Sequence, residues 1–152
     1  MKHPLLTQIR LLIFYFAFWL LISTTEALVQ WNYYNMEIEL AFLYTYVQYG
    51  LFAVLGLNIW FVVKYNSPET YRWWHLVFFH LLAATVLIII WSYLTTVIIN
   101  LFSTELADYM RMSLPARLLS GYLLYVFFVL LFMVIIYYQN FKEKVKREGE
   151  LK

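Results

Sequence analysis

Apolar residues run along this chain in long blocks rather than in alternation. Three stretches contain no Asp, Glu, Lys or Arg: Leu40 to Val63, Trp73 to Thr104 and Leu118 to Phe141. A helix needs about 20 mostly apolar residues to cross the hydrocarbon of a bilayer, and each stretch exceeds that length by itself. A fourth block lies near the start. The charge-free run between Arg10 and Glu26 falls short of a full crossing. If Arg10 runs its aliphatic stem back to the headgroups, the span extends from about Leu5 to Val29. Pro4 stands where that helix would begin. Within the blocks, as in Phe78 to Ile90, apolar character is nearly continuous, which favours helices over the alternating strands of a membrane barrel. The pattern predicts an all-α integral membrane fold. It is a four-helix transmembrane bundle with spans at about 5–29, 40–63, 73–102 and 118–138, followed by an exit helix from 142 to 152.

The first block has a second outline. Lys2 and Arg10 with Leu11 to Ile22 resemble a secretory signal, and Thr25 and Ala27 form a weak small-x-small site. Bulky Phe14, Tyr15, Phe16, Phe18 and Trp19, with apolar residues continuing to Val29, favour a retained anchor.

Composition narrows the class further. In 152 residues, 64% are hydrophobic, 22% aromatic and only 13% charged, and mean hydropathy is +0.69. Soluble domains carry about 25% charge; this chain has too little polar surface to cover an apolar core. A soluble enzyme, a disordered chain and a nucleic-acid-binding domain are thereby excluded, and the lipid bilayer is the expected partner. With no cysteine there is no disulfide scaffold, Cys-ligated zinc site or thiolate nucleophile. No phosphate-binding Gly loop, His-Glu-x-x-His helix or Gly-x-Ser-x-Gly elbow occurs either, so no catalysis is expected of this chain alone and no cofactor is implied.

Charge sets an expected orientation. Four spans put both termini on one side, together with the loop from Lys64 to Arg72. That side carries nine of the eleven Lys and Arg residues, and the other only Arg111 and Arg117. Positive charge concentrates in cytoplasmic loops, so both termini are expected in the cytoplasm. The outer loops then run from about Gln30 to Glu37 and from Ser103 to Arg117, too short to fold separately. The inner loop holds the turn cluster Asn66-Ser67-Pro68-Glu69. Trp31, Tyr33 and Tyr34 outside, and Tyr71, Trp73 and Trp74 inside, fit interfacial aromatic belts.

Several residues within the spans carry candidate chemistry. Gly50, Ala53 and Gly56 mark a thin face on the second span, suited to close packing in the bundle. His75 and His80 lie five apart, about 140° around a helix, an awkward arrangement for one metal. They read as a headgroup-level and a hydrogen-bonded histidine, as proton sensors or as haem or metal ligands. Gln48, Asn58, Thr85, Ser92, Thr95, Thr96 and Asn100 are polar groups in apolar spans. Such groups commonly bond across helices. The other reading gathers Gln48, Asn58, His80, Thr96 and Asn100 into a polar signal pocket. It would open outward near Asn100, with the charged loop from Glu105 to Arg117 as its lid.

The tail is the most informative segment. After Tyr137-Tyr138 come good helix formers with alternating Glu and Lys. Val134, Tyr138, Phe141 and Val145 follow a 4-3-4 spacing, a short heptad seam, which fades at Glu148 and Lys152. A solvated basic segment lying on anionic lipid is the competing reading. The helix reaches Lys152 without a stop signal, and a further attached segment is expected.

From about Tyr122 to Lys152 the chain resembles the last span and exit helix of LytS-type (LytTR-associated) sensor histidine kinases, in the short four-span form of Bacteroidetes. An aromatic exit at Tyr137-Tyr138-Gln139-Asn140 precedes a charged helix, Lys146-Arg147-Glu148-Gly149-Glu150-Leu151-Lys152, with Gly149 where such helices more usually carry Ala. The resemblance implies a bacterial inner-membrane sensing and anchoring module. Its signal-output helix (Tyr138, Phe141, Val145) would lead to a cytoplasmic kinase dimer and a response regulator. In that family the helix continues into a segment with Asn-Pro-His-Phe and then an ATP-binding domain; no Asn-Pro-His triplet occurs in these 152 residues. Two rival expectations stand: a small stand-alone membrane protein binding haem, a quinone or another apolar ligand, and a passive subunit that recruits partners.

Overall fold

The computed structural model describes residues 3–66 and 71–150, and all regular structure in them is helical. The elements are α1 (Pro4–Thr7), α2 (Ile9–Tyr34), α3 (Ile38–Gly56), α4 (Ile59–Tyr65), α5 (Trp73–Phe102), α6 (Ala107–Met112) and α7 (Leu114–Glu150). Four units are long and apolar enough to cross a bilayer: α2, α3 with α4, α5 and α7. The chain is an all-α, multi-pass membrane protein. Ser67, Pro68 and Glu69 of the expected inner turn, and Leu151 and Lys152, lie outside the described residues.

Side-chain burial is reversed from that of a soluble protein. Phe14, Leu21, Ile89, Leu101 and Leu130 point outward, whereas Ser23, Gln30, Thr45, Gln48, Thr95 and Arg117 are buried. Lipid solvates apolar side chains well and polar ones badly, so polar groups turn into the bundle. The centre is aromatic. Trp19 of α2 stacks on Phe128 of α7, with ring centroids 5.7 Å apart and planes at 13°. Phe52 of α3 meets Trp91 of α5 edge-on at 5.0 Å, and Trp60 of α4 meets Phe132 of α7 at 5.6 Å. Pairs of this kind contribute about 0.5–1.5 kcal/mol beyond their buried area. Trp91 Nε1 also donates to the Gln48 backbone O at 2.7 Å, tying α5 to the middle of α3.

Two connections at one end of the bundle, between α2 and α3 and between α6 and α7, have local causes. α2 ends at Asn35, in the left-handed region at φ 52°, where Asn is tolerated better than most residues. The N–H groups of Asn35 and Met36 both return to Gln30 O. Only Ser113 separates α6 from α7, and Pro115 sits in the first turn of α7, where its missing N–H costs nothing. The first long helix runs to Tyr34, five residues past Val29, where the span was expected to end. The expected outer loop contains a helix, α6, packed down through buried Leu106 and Met110 against Tyr44 and Ile99.

The second span is broken where a single helix was expected. Around Leu57 and Asn58 the N–H groups of both residues go to Leu55 O. Neighbouring carbonyls take side-chain donors: Tyr15 Oη donates to Ala53 O at 2.7 Å, and Asn58 Nδ2 donates to Leu55 O at 3.2 Å. The third patch comes from the N-terminus. His3 Nδ1 lies 3.2 and 3.3 Å from the N–H groups of Leu5 and Leu6, capping α1, and Nε2 lies 3.1 Å from Leu57 O. Accepting at Nδ1 leaves Nε2 as the protonated nitrogen, so the contacts select the neutral Nε2–H ring.

Of the expected thin face, Ala53 and Gly56 are buried in the bundle, whereas Gly50 is exposed. A Cβ at Gly50 would meet nothing within 4 Å, and one at Gly56 would come no nearer than 3.4 Å, to Tyr15 Oη, with the Phe52 ring at 3.7 Å. The tight approach is at Gly121 on α7, where a Cβ would meet Trp91 at 3.0 Å and Ile88 at 3.2 Å. Nor do the polar side chains bond chiefly between helices. Thr85 reaches Tyr122 Oη at 2.9 Å, but Ser23, Thr45, Thr95 and Thr96 donate to the carbonyl four residues back in their own helix.

Gly121→Leu should lower stability by about 1–3 kcal/mol through overpacking against Trp91, whereas Gly50→Ala should be neutral or raise it by up to about 1 kcal/mol; thermal unfolding in micelles compares them. Burial pushes the His3 imidazole below its ordinary value, against the upward pull of the bond to Leu57 O. The neutral ring is the one that holds the fold. Its contribution is therefore complete above the ordinary histidine value of about 6.5 and is lost as pH falls towards the lowered native value. His3→Ala should cost about 1 kcal/mol at pH 7 and flatten the melting profile between pH 7 and 5.

Candidate functional site

Three of the polar residues buried in the bundle, Gln30, Gln48 and Arg117, line a cavity of about 600 Å³ at the end that carries α6. Glu26 and Gln30 reach it from successive turns of α2, Tyr44 and Gln48 from successive turns of α3, Tyr109 from α6, and Arg117 and Ser120 from the start of α7. Spacings of three and four residues keep such pairs on one helix face.

One wall is a hydrogen-bonded chain. Tyr109 Oη donates to Gln30 Oε1 at 2.6 Å, and Gln30 Nε2 donates to Glu26 Oε1 at 2.9 Å. Tyr109 also stands perpendicular to Tyr44, with ring centroids 5.2 Å apart. These contacts latch α6 over the cavity. Burial holds the Tyr109 phenol up at about 12, helped by nearby Tyr44 and opposed by the bond to Gln30, so it remains a donor at neutral pH.

The start of α7 brings a charge to the cavity. Arg117 is 4% exposed. Its Nη1 donates to Met110 Sδ at 3.1 Å, and its Nε is buried without a partner. Gln48, on α3, is also buried, and its Oε1 is likewise unpartnered. Two residues that line one chamber therefore each hold a buried polar atom without a partner.

Of the five residues expected to form a pocket, only Gln48 lines this cavity. Thr96 and Asn100 line an adjoining groove of about 470 Å³ between α5 and the α6–α7 corner, and Arg117 borders both spaces. Asn58 lies in a third, largely apolar groove of about 500 Å³ beside α3, α4 and α5, which includes Tyr125. His80 pairs with that tyrosine, its Nδ1 3.1 Å from Tyr125 Oη. Its Nε2 is buried without a partner, whereas His75 is exposed. Thus Gln48 lies on one side of Arg117 and Thr96 and Asn100 in the groove on the other, and Asn58 and His80 belong to a separate region. Among the described residues no three of His, Cys, Asp or Glu are grouped to hold a metal.

Compared with protein-family models, with curated proteins and with solved structures, the chain matches none.

In the sequence, Glu26 reads as a charge near the outer end of the first span, Arg117 as a loop charge and Gln30 as a loop residue. A signal for the inward face is present all the same. Trp19, Ser23, Ala27 and Gln30 lie on one stripe of α2, and Ala41, Thr45, Gln48 and Phe52 on one stripe of α3; all are buried. In a lipid-bathed helix it is the small and polar positions, not the apolar ones, that mark the interior. Tyr109→Phe removes the bond to Gln30 and should cost about 1 kcal/mol, read as a lower melting temperature and faster hydrogen exchange in α6 than in α5.

Proposed function

We propose that this chain is a membrane-embedded sensing and anchoring module whose α7 transmits a signal to a cytoplasmic histidine kinase of a two-component system. The observation that carries the reading is α7 itself. It is one helix of 37 residues, about 55 Å long at 1.5 Å per residue. Ala116, Arg117 and Ser120 at its start line the cavity, and residues 141–149 at its far end are exposed. A rod held by the cavity at one end and free at the other can carry a rotation or shift between them. Transmission of this kind needs two packings of similar energy that differ in affinity for the signal.

Other observations support the partners. Val134, Tyr138, Phe141 and Val145 are 67, 64, 58 and 52% exposed, so the heptad seam is uncovered and suits a second copy of the chain. The nine-to-two distribution of Lys and Arg favours both termini in the cytoplasm of a bacterial inner membrane. The kinase and its response regulator rest on the likeness of the tail to LytS-type proteins.

A second reading, a stand-alone binder of a quinone or another apolar ligand, draws on the groove beside Tyr125, where Asn58 and Asn66 interrupt apolar walls. A haem version would use His75 or His80, and an absorption spectrum of the purified protein with a haem band would favour it.

The first reading is tested by fusing a reporter histidine kinase after Lys152 and inserting one to four alanines after Lys144. Each residue turns the helix by about 100°. Kinase output should rise and fall with that phase, the four-residue insertion returning close to the parent. Output that is flat across the series would defeat transmission through α7.

A further inference from the structure

We infer that the cavity beneath α6 binds an oxyanion on a molecule that also presents a hydrogen-bond donor. That is the chemistry of a small hydroxy or amino acid, or of a phosphoglycerol lipid headgroup. The inference rests on reading this cavity as the input site and names what enters it.

The oxyanion is required by Arg117. A guanidinium offers five donors, and a thioether such as Met110 Sδ is a weak acceptor for one of them. Nε has no partner. The Tyr44 phenol stands within hydrogen-bonding reach of Arg117, and Tyr109 is near it, but both are neutral at pH 7, and among the described residues no carboxylate pairs with the guanidinium. A charge withdrawn from water without a counter-charge is costly, and in a membrane protein it marks a functional position by default. The planar fork matches the two oxygens of a carboxylate or phosphate. The start of α7, one turn away, adds partial positive charge of the same preference.

The donor is required by the other walls. Gln48 is 5% exposed, and its Oε1 lacks a partner. Glu26 accepts from Gln30 through Oε1 alone, leaving its second oxygen for a donor in the chamber. An anion without any donor would leave Gln48 unsatisfied and would face Glu26 with nothing between them. The volume of about 600 Å³ lies in the range of small-molecule sites, and the Tyr109–Gln30 bond provides a closure.

The test uses the full chain purified in neutral detergent and read by thermal shift and tyrosine fluorescence. The soluble probes are lactate and glycine (oxyanion and donor), acetate and inorganic phosphate (oxyanion), and ethylamine (donor only). Phosphatidylglycerol and phosphatidylcholine are compared in a separate arm. We expect a saturable response that is stronger for lactate or glycine than for acetate, or for phosphatidylglycerol than for phosphatidylcholine. The arm that responds identifies a dissolved solute or a headgroup as the source. Arg117→Met should weaken that response at least tenfold. If this variant does not fold, Gln48→Met keeps the charge and should narrow the preference for lactate or glycine over acetate, or for phosphatidylglycerol over phosphatidylcholine. No saturable response to any oxyanion, or a response unaltered in every folded variant, would overturn the inference. Oxyanion binding with a flat kinase output defeats transmission alone; phased output without oxyanion binding defeats only the ligand assignment.

Discussion

Hydrocarbon offers no partner for a backbone N–H or C=O, and nearly every feature of this protein follows from that. Intact helices meet the demand locally, and so the chain forms them wherever it crosses the membrane. Where the second span breaks at Leu57 and Asn58, the carbonyls released there are met by Tyr15, Asn58 and His3. Two of these come from elsewhere in the chain, so the break also fastens the first span and its leading turn to the second. Trp91 does the same in the other half of the bundle, its indole N–H directed at a carbonyl of α3.

Lipid also removes the usual reason for apolar side chains to gather. Association must come from close fit and from the few polar contacts that hydrocarbon makes valuable. The interior answers with flat rings, Trp19 on Phe128 and Phe52 against Trp91, and with the missing side chain at Gly121, which lets α7 approach Trp91 and Ile88. Ring packing fills the centre and the α4 end. At the α6 end it gives way to polar side chains and an open chamber. The most strained electrostatics therefore sit near the end of the bundle, at the start of its longest helix.

How much of this is legible in the sequence differs from residue to residue. Long charge-free blocks identify three of the four crossings, and a shorter run extended past Arg10 identifies the first, because the lipid demands them of composition directly. The break at Leu57 is not visible, since Gly and Asn each occur inside intact membrane helices elsewhere. Gly50 and Gly56 have the look of a packing face, yet Gly121, isolated in an apolar run, makes the tight contact. Asn58 and His80 group with Gln48 on polarity alone. Their positions along the helix axes separate them, Asn58 at the break and His80 against Tyr125.

By itself, the sequence determined the class of molecule, the number of its long apolar helices and the charged character of its exit helix. Each of these depends on the free energy of moving residues between water and lipid, which sums along the chain without regard to neighbours. Only the tertiary structure decided which helix faces turn inward. It made α6 a latch rather than a loop, and it placed Arg117 with Gln48, Glu26 and Tyr109 around one cavity. Apolar residues cover the lipid side and the packed side of these helices alike, so hydrophobic periodicity carries little phase. The convergence of polar groups far apart in sequence depends on how four helices are rotated against one another.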